Sequence, residues 1–150
     1  YFLIAAIKMA PRIIFARLTW MRKYAKHPEK TPIEIRYKKV RDLIIRSIKA
    51  LHFDVKANHL DYMNNHEGTF LGISNHRHFF DPLFYIYFSE KPVSFVAKKE
   101  AFKMPFVKQI VKSIDAFSID REDMLHQLQL FKAVGERLKK NDISYFIIHL

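Results

Sequence analysis

Apolar and polar positions follow two different rhythms along the chain, and the change between them falls near residue 52. Before it, apolar residues recur at helical spacing. Over residues 2–21, Leu3, Ile7, Ala10, Ile14, Leu18 and Met21 share one side of a helical wheel, with Lys8, Arg12, Arg22 and Lys23 largely opposite and Arg17 fitting poorly. Lys8, Arg12, Arg17 and Pro11 interrupt the run before it reaches the roughly 18 to 20 uncharged residues of a membrane span. Residues 24–30 read as a polar connection. Thr31-Pro32-Ile33-Glu34 then supplies an N-cap, a proline at the first helical position and a capping-box glutamate. A second helix is predicted from there to about residue 51. Tyr37, Val40, Ile44, Ile48 and Leu51 form its stripe, and Arg36, Lys38, Lys39, Arg41, Arg46 and Lys49 spread over a solvated remainder.

Beyond residue 52, short apolar runs alternate with helical patterns. Strands are predicted near 52–57, 69–74, 93–97, 116–119 and 143–148, and helices near 80–89, 101–114 and 123–140. In the last helix Leu125, Leu128, Phe131, Val134 and Leu138 are the expected buried stripe. Strands separated by helices imply an α/β fold, a largely parallel sheet with covering helices. The chain therefore divides into a basic two-helix segment, 1–51, and an α/β region, 52–150.

One stretch breaks its own pattern. Thr69-Phe-Leu-Gly-Ile-Ser is apolar and β-prone, and Asn75, His76, His78 and Asp81 follow at once, with Pro82 restricting the backbone. A strand, a turn and a helix start would bring an imidazole and a carboxylate together at the C-terminal edge of the sheet, where open α/β folds place their sites. Those are the minimal parts of a general base. A spacing of five recurs by chance, so position rather than spacing carries this reading. The alternative is a capped helix with His76 as a surface turn residue. His76, His78 and Asp81 also read as a metal set, but no second cluster of ligands accompanies them.

Charge narrows the partners. The formal net charge is +11, which suits nucleic acid, a phosphorylated metabolite or an acidic membrane. The basic residues concentrate on helices beside an apolar face rather than among aromatics on a strand, which disfavours nucleic acid. A basic amphipathic start with Trp20 near its end describes a helix lying in an anionic membrane interface, the alternative being a helix packed on its own domain. Cysteine is absent, so there is no Cys nucleophile, and three glycines leave no glycine-rich phosphate loop. The chain opens at Tyr1 and ends within the apolar run 145–150, as a fragment would.

Asn75-His76-Arg-His-Phe-Phe-Asp81 resembles the first motif, Asn-His-x4-Asp, of the glycerolipid acyltransferase family. Phe95-Val-Ala-Lys-Lys-Glu-Ala-Phe-Lys-Met-Pro-Phe106 is similar to that family's next strand and helix, and Ala116-Phe-Ser-Ile-Asp-Arg121 to its second motif. The N-terminus resembles the two-helix membrane-docking segment of bacterial 1-acylglycerol-3-phosphate acyltransferases. The resemblance implies acyl transfer from an acyl carrier protein or coenzyme A thioester, as co-substrate and without a cofactor, to the hydroxyl of lysophosphatidate. Glycerol 3-phosphate or another lysophospholipid is the rival acceptor. It implies His76 as general base, Asp81 as its orienting carboxylate, and Arg121, Lys98, Lys99 and Asn75 as substrate-binding residues. It also implies a protein at the cytoplasmic face of the cell membrane, peripheral or monotopic. Asp115 stands where the family commonly has glycine, and Ser118 where proline is frequent. The third motif would begin at or after Ile148, where His149-Leu150 stands, so these 150 residues are expected to have little transferase activity alone.

Overall fold

The computed structural model describes residues 2–75, 78, 80–120 and 122–149, and among these the side chains of residue 7 and of residues 9–147. Four parallel strands make one sheet: β1 (Leu71–Asn75), β2 (Val93–Lys98), β3 (Phe117–Ile119) and β4 (Ser144–His149), in the order β1-β4-β2-β3. Register is set by pairs such as Leu71 with Tyr145, Val96 with Ile147 and Lys98 with Ile119. These strands fall close to four of the five runs read from the sequence.

The fifth, 52–57, is no strand. His52 and His59 take left-handed backbone angles, φ 56° and 57°, which break an extended run on both sides. Its alternating apolar residues are satisfied by packing instead: Phe53 meets Phe80 edge-on at 5.9 Å, and Val55 packs against the main core.

Helices precede and connect the strands. α1 (Phe2–Ala16) continues through a wider π-type turn (Arg17–Met21) into α2 (Arg22–Lys26), and α3 (Ile33–Ala50) follows. α3 starts after Pro32 with no side-chain cap, so the expected Thr31 capping box does not form. Then come α4 (Asp61–Asn64), α5 (Asp81–Phe88), α6 (Val107–Ser113) and α7 (Met124–Leu138). The helix expected over 101–114 is split into a 3-10 turn (Lys99–Phe102) and α6, because Pro105 and Phe106, at φ 66°, interrupt it.

The strand order explains the layering. The steps from β1 to β2 and from β2 to β3 run one way along the sheet, and the step from β3 to β4 runs back. Right-handed crossovers then place α5 and α6 on one face and α7 on the other. Tyr37, Val40, Ile44 and Ile48 of α3 share the first face with Ile86, Phe95 and Phe146, so the N-terminal segment contributes to the main core. On the second face Leu130 and Val134 of α7 cover Val96, Ile143 and Tyr145. This corrects the expected stripe in its first half: Val134 is buried and Leu138 packs beside it as expected, but Leu125 and Leu128 are 72% and 64% exposed, and Phe131 is also exposed. α7 carries two apolar stripes, and contact with β3 and β4 selects the one through Leu130 and Val134.

At the strand-start end of the sheet, Asp115 has φ 55°, a left-handed conformation that favours glycine, yet this chain holds a non-glycine residue there. Its carboxylate accepts two bonds from Arg36, at 2.7 and 2.8 Å, and one from Arg137 at 3.1 Å. Arg36 is 3% exposed and also donates to the carbonyls of Thr31 and Ser113. It is thus no part of a solvated basic face. Tyr145 donates its hydroxyl to the Asp115 carbonyl at 3.0 Å, and burial pushes that phenol up, so it stays a neutral donor.

Candidate functional site at the strand-exit edge

The exit edge collects Asn75, Lys98 and Ile119 as last or near-last strand residues, because parallel strands all end on one side. The exit of β2 leads to α6 on one face and that of β3 to α7 on the other. The crevice between those diverging loops is the switch point where open α/β sheets bind ligands.

Asp81 occupies the first turn of α5. Its Oδ2 accepts the His78 backbone N–H at 2.9 Å, and its own N–H donates to the His78 carbonyl at 2.9 Å, a reciprocal closure of the turn after β1. His76 and Arg121 lie outside the described residues, as do Arg77 and Phe79. Among the described residues no group of three or more His, Cys, Asp or Glu comes together.

Lys99 and Asp120 span the switch crevice as an ion pair of 2.8 Å. The hydrogen bond from Lys99 holds the Asp120 carboxyl below the usual carboxylate range, and the same bond holds the Lys99 ammonium above its ordinary value. Asp120 Oδ1 also accepts the Glu122 N–H at 3.2 Å, so both residues flanking position 121 are tied. Lys98 stands 4.0 Å from Glu100, a looser partner.

Beside Asn75, His78 and Asp81 opens a cavity of about 970 Å³, with Phe84, Tyr85, Phe88 and Phe146 among its walls. The segment 53–60 closes its other side. Phe84, Tyr85 and Phe88 lie in the helix expected near 80–89, but nothing in the sequence indicated that 53–60 would pack opposite them. Phe146 reaches this wall only because β1 has Gly72 beside it: a Cβ there would meet the Phe146 ring at 2.5 Å. The stack of Phe146 on Tyr85, centroids 4.5 Å apart, was equally unreadable in advance.

Residues 54–149 match the model of the family described as Acyltransferase. The chain belongs to the Acyltransferase family. No curated protein and no solved structure matches it. For an acyltransferase the matched region is informative in extent: it begins in the cavity wall and runs through all four strands, so β1, α5 and the switch crevice lie within the family domain.

Proposed function

We propose that this acyltransferase moves a fatty acyl group from a thioester, on acyl carrier protein or coenzyme A, to the free hydroxyl of 1-acylglycerol 3-phosphate, giving phosphatidate. The observation that carries the reading is the placement of Asp81, fixed in the first turn of α5 directly after β1 and bordering an aromatic-walled cavity, in a chain of the Acyltransferase family. His76, between β1 and Asp81, takes the proton of the acceptor hydroxyl as its oxygen attacks the thioester carbonyl. The new C–O bond forms, the C–S bond breaks, and the imidazolium returns the proton to the departing thiolate. Asp81 orients the imidazole and stabilises its charged form. No enzyme nucleophile is consumed, which suits a chain without cysteine.

Arg121, with Lys98 and Lys99, binds the acceptor phosphate at the switch crevice, where a guanidinium engages two phosphate oxygens at once. Asn75 completes the substrate contacts at the exit of β1. The acyl chain occupies the cavity between α5 and the 53–60 segment. Docking on an anionic membrane is supported by Ile7, Ile14, Phe15 and Leu18, all exposed on or beside α1 with Arg12 and Arg22 among them, whereas Met21 turns into the domain. No helix among the described residues is long and apolar enough to cross a membrane. The cytoplasmic face follows from donors made in that compartment.

The test is turnover of an acyl thioester by the full-length protein with lysophosphatidate, glycerol 3-phosphate and other lysophospholipids offered in parallel. Preference for lysophosphatidate supports the reading. Preference for glycerol 3-phosphate changes the acceptor and keeps the chemistry, and no transfer to any of them removes the function.

A further inference from the structure

In sequence His76 directly follows β1 and Asp81 opens α5, so the seating of α5 against β1 bears on the gap between them. The reciprocal hydrogen bonds between His78 and Asp81 close the start of α5 on itself but tie it to no atom of β1. Apolar packing is non-directional and fixes a distance only loosely. A directional contact lies one layer beneath the site. Ser74, 3% exposed on β1, has its Oγ 2.7 Å from the Tyr85 hydroxyl on α5. Ser74 is two residues before His76, and Tyr85 is one helical turn after Asp81.

Tyr85 is itself held. Its ring stacks on Phe146 at 4.5 Å with 27° between planes, and Phe95 flanks it at 6.5 Å. Phe146 in turn lies against β1 at Gly72, too close to admit a Cβ. A rigid ring carrying one hydroxyl thus reaches from α5 to the strand that delivers His76.

We infer that the Ser74–Tyr85 hydrogen bond is the strut that sets the His76-to-Asp81 distance, making Ser74 and Tyr85 positioning residues for acyl transfer. The inference rests on the reading of His76 and Asp81 as base and orienting carboxylate. The competing account is a partly buried tyrosine that merely satisfies its hydroxyl. A strut acts on the chemical step, because small errors in the alignment of reacting groups cost rate rather than binding.

Tyr85→Phe keeps the stacked ring and removes only the oxygen, and Ser74→Ala removes the other half of the bond. In the full-length protein each is expected to lower kcat about tenfold while KM for donor and acceptor stays within about twofold. Melting temperatures should confirm that both variants are folded. The double variant should be no worse than either single one, and in an Asp81→Asn background Tyr85→Phe should cost nothing further. Unchanged kcat in both single variants, a loss that multiplies in the Asp81→Asn background, or a raised KM for the acyl donor would overturn the strut. If His76→Ala abolishes turnover while Tyr85→Phe does not lower it, the strut alone fails. If His76→Ala is fully active, the base and the strut fail together.

Discussion

The two ends of the sheet use charge in opposite ways. At the strand-start end Arg36 is buried and every polar atom of its guanidinium has a partner, with Asp115 shared between Arg36 and Arg137. At the strand-exit end Lys99 and Asp120 pair in the open, with side chains 42% and 32% exposed. A buried, fully bonded pair is costly to break, whereas a pair in solvent contributes little to folding and exchanges partners readily. The start end is a clamp between α3 and the sheet. The exit end leaves its charges in solvent, which is where the proposed phosphate site would need them.

Five substitutions separate positions that hold the fold from positions open to ligand or solvent. Asp115→Ala is the largest: it leaves Arg36 buried with only carbonyls, so denaturant unfolding should show a loss of roughly 3 kcal/mol. Gly72→Ala follows, because the new Cβ must displace the Phe146 ring, and about 1–3 kcal/mol of destabilisation is expected. Lys99→Met should leave the melting temperature unchanged while raising KM for the phosphorylated acceptor, and an unchanged KM would remove Lys99 from the phosphate site. Leu128→Ser, on the exposed stripe of α7, should change stability by no more than about 0.5 kcal/mol, in contrast with Val134→Ala on the buried stripe. A large effect at Leu128 would mean that the exposed stripe is covered by something.

What the sequence made legible follows from how local each signal is. β2 and β4 were readable because central strands of a covered parallel sheet are nearly continuous apolar runs, and β1, at the sheet edge with Leu71 and Ile73 exposed, because its run is short, apolar and β-prone. The extent of α7 was readable from its helical apolar spacing, whereas its cap, Asp123 Oδ1 accepting the His126 N–H at 2.9 Å, is added by the structure. The buried face of α7 was not readable, since both of its stripes are apolar and only β3 and β4 choose between them. Residues 52–57 alternate like a strand, but alternation also serves a segment that packs one side over a cavity. The Asp81 turn was local and therefore visible. Arg36 with Asp115 and Ser74 with Tyr85 join residues 79 and 11 positions apart, pairings that no periodicity encodes. Asp115 stands out in the sequence only as a departure from an expected glycine, and its left-handed backbone angle is consistent with that expectation.

The central claim is that His76 is the base of an acyl transfer. The direct measurement is product formation from an acyl thioester and lysophosphatidate by full-length wild type and His76→Ala, compared at equal folded concentration. The account predicts a loss of at least about 100-fold in kcat with an unchanged melting temperature. Turnover by His76→Ala within about threefold of wild type would contradict it.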